Sequence, residues 1–380
     1  MTLKLIHTSD WQIGKVFHFL DSAAMGLLQE ARLRAITRIG ELAGTHGAAH
    51  VLVAGDIYDM EALSPRSLNQ PLERMRNFTG VHWHLLPGNH DPHRPNGLWD
   101  QLLRKGLPDN VQVHATATPA VLEDEGIAIL PAPLHHRRTL DDVTAWMDEA
   151  DLPDGLIRIG LAHGSVSGFG SEDKDVPNYI APDRPARAGL SYLALGDWHG
   201  QKQINDRCWY SGTPETDGFD VTGGGQALLV EISASGAAPA VTPVPTAHYT
   251  WATLSEQVNG REDINYLAEK LRDTGDELDR TLLQLTVEGA LSLEDRQYFE
   301  EQIVEGVSAA FCFMRVDDRR LFPRPTAEDL DRIDRGGFVR TAAEELKRQA
   351  GEGSDAERDF AAEALQRLYI EHMKLQAGQR

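Results

Sequence analysis

The sequence predicts an α/β protein, and three observations carry that prediction. Short apolar runs recur along the N-terminal half, at 3–7, 50–54, 81–86 and within GIAILPAPL, LIRIGLAHGSV and SYLALGDWHG. Segments with helical periodicity precede several of them. Past the end of each run stands a polar cluster, at the carboxyl edge where open α/β sheets gather ligands.

Taken in order, LKLIH at 3–7 reads as a strand ending in a turn. Residues 22–43 have helical periodicity, with Ser22 as N-cap. HVLVAGDIYD is an apolar strand running into a polar loop, and VHWHLLPGNHD repeats the plan. Strands apolar throughout are expected to be buried on both faces. Around 233–247 the chain turns to SASGAAPAVTPVPTA, a composition that marks a domain border. Beyond it, 281–288 and 311–316 read as strands. The helix between them, 292–306, opens on a capping-box-like Ser292 and Asp295. After LFPRPT come two amphipathic helices, at 326–349 and 355–376, split by GEGS. The expected division is therefore 1–245, 246–322 and 323–380.

The 380 residues suffice for one large domain and one or two small ones. A hydrophobic content of 41% with 25% charged residues is ordinary for a globular protein, and no apolar run is long enough to span a bilayer. Only two cysteines, Cys208 and Cys312, are present, without metal-finger spacing. With no signal peptide at the start, a reducing cytoplasm is the expected location. The net charge of −21 argues against a protein that holds nucleic acid mainly by a basic surface. It does not exclude a nuclease whose positive field comes from bound cations and a few local Lys and Arg.

Five motifs stand at the strand ends. They are Asp10-Trp11-Gln12, Gly55-Asp56-Ile57-Tyr58-Asp59, Gly88-Asn89-His90-Asp91, His163-Gly164 and Gly196-Asp197-Trp198-His199. Singly each reads as a turn or a cap. In order, at successive strand ends, they supply enough oxygen and imidazole ligands for two divalent ions sharing one carboxylate. Two such ions lower the pKa of a shared water and neutralise phosphate oxygens during in-line attack. Mixed oxygen and nitrogen ligands suit manganese, iron or zinc more than calcium.

The ordered set resembles the calcineurin-like metallophosphoesterases over roughly residues 1–230. Their pattern is D-x-H, G-D-x-x-D, G-N-H-D/E, H and G-H-x-H. The resemblance implies a four-layer α-β-β-α sandwich, a small α/β capping domain and a helical C-terminal tail. It also implies that Asp10, Gln12, Asp56 and His199 hold a first ion. Asp56, Asn89, His163 and Asp197 would hold a second, with Asp56 bridging. His90 would be the general acid and Asp59 its orienting partner. Gln12 and Asp197 stand where the pattern has His, which makes the site harder and points to Mn²⁺, or Mg²⁺, as the ion.

HTSDWQIGK at 7–15, VLVAGDIYD at 51–59 and YSGTPE at 210–215 are similar to the SbcD-type DNA repair nucleases. That resemblance implies a nuclease acting on DNA, working as a homodimer. Its β-α-β cap would contact DNA, and its C-terminal helices would dock an SMC-like, SbcC-type ATPase. Trp11 and Trp198 flank ligand motifs and either stack on a base or wall off the site. Arg315, Arg319 and Arg320 form a basic run beside the cap, available as phosphate contacts. The loop His135-His136-Arg137-Arg138 is a further substrate wall. Two other readings stay open: a phosphodiesterase or phosphatase for small nucleotides or phosphoproteins, and a weakly active regulatory subunit of an ATPase complex.

Overall fold

Period-2 alternation with both faces apolar makes β1 (Leu3–Thr8) a central strand, paired in parallel with β2 (His50–Val53) and antiparallel with β13 (Gln226–Ile232). Leu5, Leu52 and Leu228 enter one hydrophobic cluster, whereas Ile6, Val51, Val53 and Leu229 enter another. Parallel pairing continues to β3 (His82–Leu85) and β4 (Val111–Val113), and β14 (Ala240–Pro245) closes the other edge. The proline-rich stretch expected to be a border thus contributes a strand. Its Pro243 and Pro245 sit on an edge, where a missing N–H is tolerated.

A second six-stranded sheet has the order β11 (Lys202–Asn205), β12 (Cys208–Tyr210), β10 (Tyr192–Gly196), β7 (Ile157–His163), β6 (Ile127–Ala132) and β5 (Ala120–Leu122). Just past β7, the short strands β8 (Ser165–Val166) and β9 (Tyr179–Ile180) pair in parallel. Leu5, Leu52 and Leu228 of the first sheet share a core with Ile129, Leu161 and Tyr192 of the second. Ile36, Ile39, Leu72 and Leu102 from helices cover the outer face of the first sheet. Met147, Leu152 and Leu190 cover that of the second.

The computed structural model describes residues 2–166, 176–275, 277–324, 338–352 and 355–377. The chain divides into two units, Met1–Thr250 and Trp251–Arg380. The first helix runs Ser22–His46, and its N-cap is Asp21, not Ser22. The Asp21 carboxylate accepts from the Ala24 N–H at 2.8 Å, so Ser22 is already in the first turn.

The second unit holds the sheet β15 (Thr250–Val258), β16 (Thr281–Leu291) and β17 (Phe313–Pro323). β16 and β17 are parallel, which requires a crossover, and the helix Leu293–Phe299 provides it. Ser292 caps that helix by accepting from the Asp295 N–H. The strands run several residues beyond 288 and 316, where the sequence reading ended them. Helices Phe338–Glu352 and Asp355–Ala377 pack together through Ala343, Leu346, Leu365 and Leu368. The start expected for the first of them, from 326, lies outside the described residues. Among the described residues no helix is long and apolar enough to cross a membrane.

Candidate metal centre

Four of the five motif loops leave parallel strands at their carboxyl ends: β1, β2, β7 and β10 stop at Thr8, Val53, His163 and Gly196. The Gly88 loop follows β3 in the same way. The first two loops are joined by backbone bonds, Asp10 N to Gly55 O at 3.1 Å and Gln12 N to Asp56 O at 2.9 Å. Asp91 ties the second to the third, accepting from Gly88 N at 2.7 Å and Tyr58 N at 3.1 Å. Six non-glycine residues among those described have positive φ, and four are Asp10, Gln12, Asp56 and Asp197. Strain concentrated on the proposed ligands is the mark of a functional site held in place by its surroundings. Gly55, at φ 89, is required for the same reason, because a methyl group there would overlap the His163 ring.

The loops bring a set of ligand atoms together. Oxygens of Asp10 and Asp56 and a ring nitrogen of His163 lie within 4.8 Å of one another, and all three residues are buried. His163 Nδ1 donates to Ala54 O at 2.8 Å, which aims Nε2 at Asp56 Oδ1, 3.4 Å away, and Asp197 Oδ1, 3.7 Å away. Burial opposes charging of His163, but Asp56, Asp10 and Asp197 together outweigh it and push its pKa up to about 9. Asn89 Nδ2 donates to Asp197 Oδ1 at 2.8 Å, which turns Asn89 Oδ1 the other way. Ser165 holds the second Asp197 oxygen at 2.7 Å.

Two atoms of this set lack what buried polar atoms require. His163 Nε2 and Asn89 Oδ1 are shielded from solvent and have no hydrogen-bond partner. One is an imidazole nitrogen facing the Asp56 and Asp197 carboxylates, and the other is the carbonyl oxygen of an amide whose Nδ2 is bonded to Asp197. Both are ligand types that a divalent cation takes, and with the neighbouring carboxylates Asp56, Asn89, His163 and Asp197 fit the donor set of an ion.

The other half of the expected site differs. Gln12 and His199 do meet, but they bond to each other, Nε2 to Nε2 at 3.1 Å. Lys15 Nζ donates to Gln12 Oε1 at 2.8 Å and to Asp217 Oδ2 at 2.5 Å, and His199 Nδ1 lies 3.1 Å from Asp217 Oδ1. Lys15 fixes the Gln12 carbonyl, so the Gln12 amide presents N–H to His199. Burial opposes charging of His199, while Asp217 and Asp10 draw its pKa upward. Nδ1 of the ring faces Asp217 and Nε2 faces the Gln12 amide, so both ring nitrogens are engaged. Burial opposes ionisation of Asp217, but His199, Arg32 and Lys15 hold its carboxyl far below the usual range.

His90 stands beside the ion site, its N–H donated to Asp56 Oδ1 at 2.9 Å. Its ring Nδ1 donates to the Asp59 backbone carbonyl at 2.9 Å, whereas the Asp59 carboxylate is 3.8 Å away. The orienting group is therefore the main chain of Asp59. The side chain of His90, 29% exposed, borders a cleft of about 270 Å³ together with Asn89, Asp197, Arg137 and Arg138. Arg137 and Arg138 of the basic loop read from the sequence thus line the same cleft as His90, Asn89 and Asp197.

A family model described as Calcineurin-like phosphoesterase matches residues 3–219. The chain belongs to the calcineurin-like phosphoesterase family. Membership makes it a metal-dependent hydrolase, of a family whose members typically hold two divalent ions. No curated protein matches the chain. A solved structure described as the crystal structure of TT1561 of Thermus thermophilus is 14% identical, covering 65% of this chain and 100% of its own, with a TM-score of 0.41.

Within this calcineurin-like frame some sequence readings change. Trp11 does not stack on a base: it is 1% exposed, packs edge-on to Trp83 and donates to Thr8 Oγ1. The residue after the strand-end Asp points back into the core between sheet and helices, which is why apolar Trp occupies it. Trp198 is 50% exposed, with Lys202 Nζ 4.8 Å from its ring. Arg315, Arg319 and Arg320 lie in the second unit, engaged by Gln284, Asp317 and Glu288. A phosphate would have to displace those partners. Sequence reading missed Lys15, Arg32, Ser165 and Asp217. Lys15 and Ser165 stood inside quoted segments and Asp217 just past another, whereas Arg32, in the middle of the first helix, gave no signal.

Proposed function

We propose that this phosphoesterase hydrolyses phosphodiester bonds of DNA with a divalent ion, Mn²⁺ or Mg²⁺, held by Asp56, Asn89, His163 and Asp197. The observation that carries the hydrolytic reading is the pair of unpartnered buried atoms, His163 Nε2 beside the Asp56 and Asp197 carboxylates and Asn89 Oδ1 on a residue that lines the cleft. When bound, the ion supplies Lewis-acid polarisation of a phosphoryl oxygen and lowers the pKa of water. The chain's own groups do the rest. Arg137 and Arg138 line the cleft and attract the phosphate, an attraction the net charge of −21 would otherwise oppose. His90, with Nδ1–H fixed on Asp59 O, offers a proton from Nε2 to the departing sugar oxygen.

DNA as substrate is supported by the likeness of HTSDWQIGK, VLVAGDIYD and YSGTPE to SbcD-type nucleases, and by the β-α-β unit with Arg315, Arg319 and Arg320 that follows the catalytic domain. On the same likeness the C-terminal helix pair docks an SMC-like ATPase, and the protein works in DNA repair as a homodimer. The modest volume of the cleft favours a second reading, a phosphodiesterase for small nucleotides. Full-length protein incubated with Mn²⁺ and labelled single-stranded or duplex DNA is expected to cleave it. Hydrolysis of a bis-nitrophenyl phosphate without DNA cleavage, even with a cognate ATPase, would favour the small substrate instead.

A further inference from the structure

We infer that this chain holds one divalent ion, not two, and that the ammonium of Lys15 stands in for the second. The inference rests on the hydrolytic reading above and concerns the half of the centre built from Gln12, Lys15, His199 and Asp217. These four side chains close a ring. Lys15 Nζ donates to Asp217 Oδ2 at 2.5 Å and to Gln12 Oε1 at 2.8 Å. Gln12 Nε2 meets His199 Nε2 at 3.1 Å, and His199 Nδ1 returns to Asp217 Oδ1 at 3.1 Å. Lys15 engages the Gln12 carbonyl, and Gln12 and Asp217 engage the two ring nitrogens of His199. Gln12 and His199, two of the four groups expected around a first ion, are therefore already occupied, while Asp10 and Asp56 lie outside the ring. The other half presents the opposite picture, with His163 Nε2 and Asn89 Oδ1 unpartnered.

The local sequence builds this ring. Lys15 N donates to Gln12 O at 3.1 Å, closing the tight turn Gln12-Ile13-Gly14-Lys15. Gln12 at φ 44 and Gly14 at φ 94 give the turn its shape and bring the Lys15 side chain back over the Gln12 amide. Arg32 Nη2, 3.2 Å from Asp217 Oδ2, anchors the carboxylate from behind. The side chains of Asp217 and Arg32 are 1% and 2% exposed, so this pair is built into the core.

A second divalent ion would have to turn the Gln12 carbonyl away from Lys15, leaving amide N–H groups against an ammonium. It would also have to take the His199 Nε2 lone pair from Gln12 and sit beside a fixed positive charge. Lys15 supplies a single charge with no exchange, a point charge of the kind that pairs with phosphate. Restoring imidazole at position 12 and removing Lys15 would reopen the position.

The test is metal stoichiometry on the full chain, read by equilibrium dialysis with elemental analysis and by Mn²⁺ EPR. One ion per chain with a mononuclear spectrum is expected at saturating Mn²⁺. Gln12→Leu should leave that ion's affinity unchanged. Asn89→Leu should weaken it by more than the roughly 10–100-fold that loss of a supporting partner costs. Gln12→His combined with Lys15→Ser should raise the count to two with an exchange-coupled spectrum. Two coupled ions in the wild-type chain, or loss of binding in Gln12→Leu, overturns the inference while the hydrolytic reading stands. No ion at all overturns both.

Discussion

An ion entering beside His163 has to displace a proton, and this fixes how its affinity depends on pH. His163 is fully buried, and Nδ1–H is committed to Ala54 O, so the second proton sits on Nε2, the ligand atom. Burial alone would keep the ring neutral, but Asp56, Asp10 and Asp197 outweigh it and hold the pKa at about 9. At pH 7 the ring is therefore charged, two units below that pKa. Removing the proton costs about 2.7 kcal/mol at about 1.36 kcal/mol per unit, drawn from the ion's own binding energy. Apparent affinity should rise about tenfold per pH unit on approaching pH 9 and level off above it. Calorimetric titration with Mg²⁺ in buffers of different ionisation enthalpy measures the protons released. About one per ion from His163 is expected at pH 7 and close to none above pH 9. His163→Gln should remove the dependence along with most of the affinity. Absence of proton release from the wild-type chain at pH 7 would refute the argument that the carboxylates hold a proton where the ion binds.

Gly55→Ala places a methyl group against the His163 ring in a backbone region at φ 89, so a loss of about 1–3 kcal/mol in urea unfolding is expected together with weaker metal binding. Wild-type metal affinity in that variant would mean the ring is not held by this contact. On the proposed role of His90 as proton donor, His90→Asn should lower kcat by about 10²–10⁴-fold with metal content unchanged; an unaltered kcat removes it from the proton-transfer role. His7 is buried between Tyr192 Oη and Leu195 O, and burial depresses its pKa to about 3 from 6.5. The unfolded chain then binds a proton that the folded chain refuses, so this histidine lowers stability as pH falls from 6.5 towards 3. Burial and Asp56 raise the Asp91 carboxyl, which acts in the opposite sense, so the signal is the difference from His7→Gln. That difference should change by about 1.4 kcal/mol per pH unit below 6.5 in the variant's favour, and a pH-independent difference would contradict the burial argument.

The family and the ligand loops were legible in the chain alone because both depend on local order. Doubly apolar strands such as HVLV declare their burial, and a Gly-Asp or Gly-Asn-His after each one declares a loop that leaves the sheet edge. The parallel crossover from β16 to β17 was readable for the same reason, since Ser292 and Asp295 mark where the helix begins. What the sequence could not convey was which donor faces which acceptor. Asp59 was expected to orient His90 by its carboxylate and does so by its carbonyl, a difference of under an ångström in reach that no spacing encodes. Trp11, beside Asp10, reads from the sequence as either stacking on a base or walling off the site, and the turn sends it into the core. Asp217 lies some 200 residues from Lys15 and Gln12 in sequence and within hydrogen-bond distance of Lys15 in space. Only the packing of the two sheets brings that carboxylate to the Gln12 turn. Tertiary structure therefore decided which half of the centre keeps unpartnered polar atoms, because hydrogen-bond satisfaction belongs to the assembled pocket and not to any one segment.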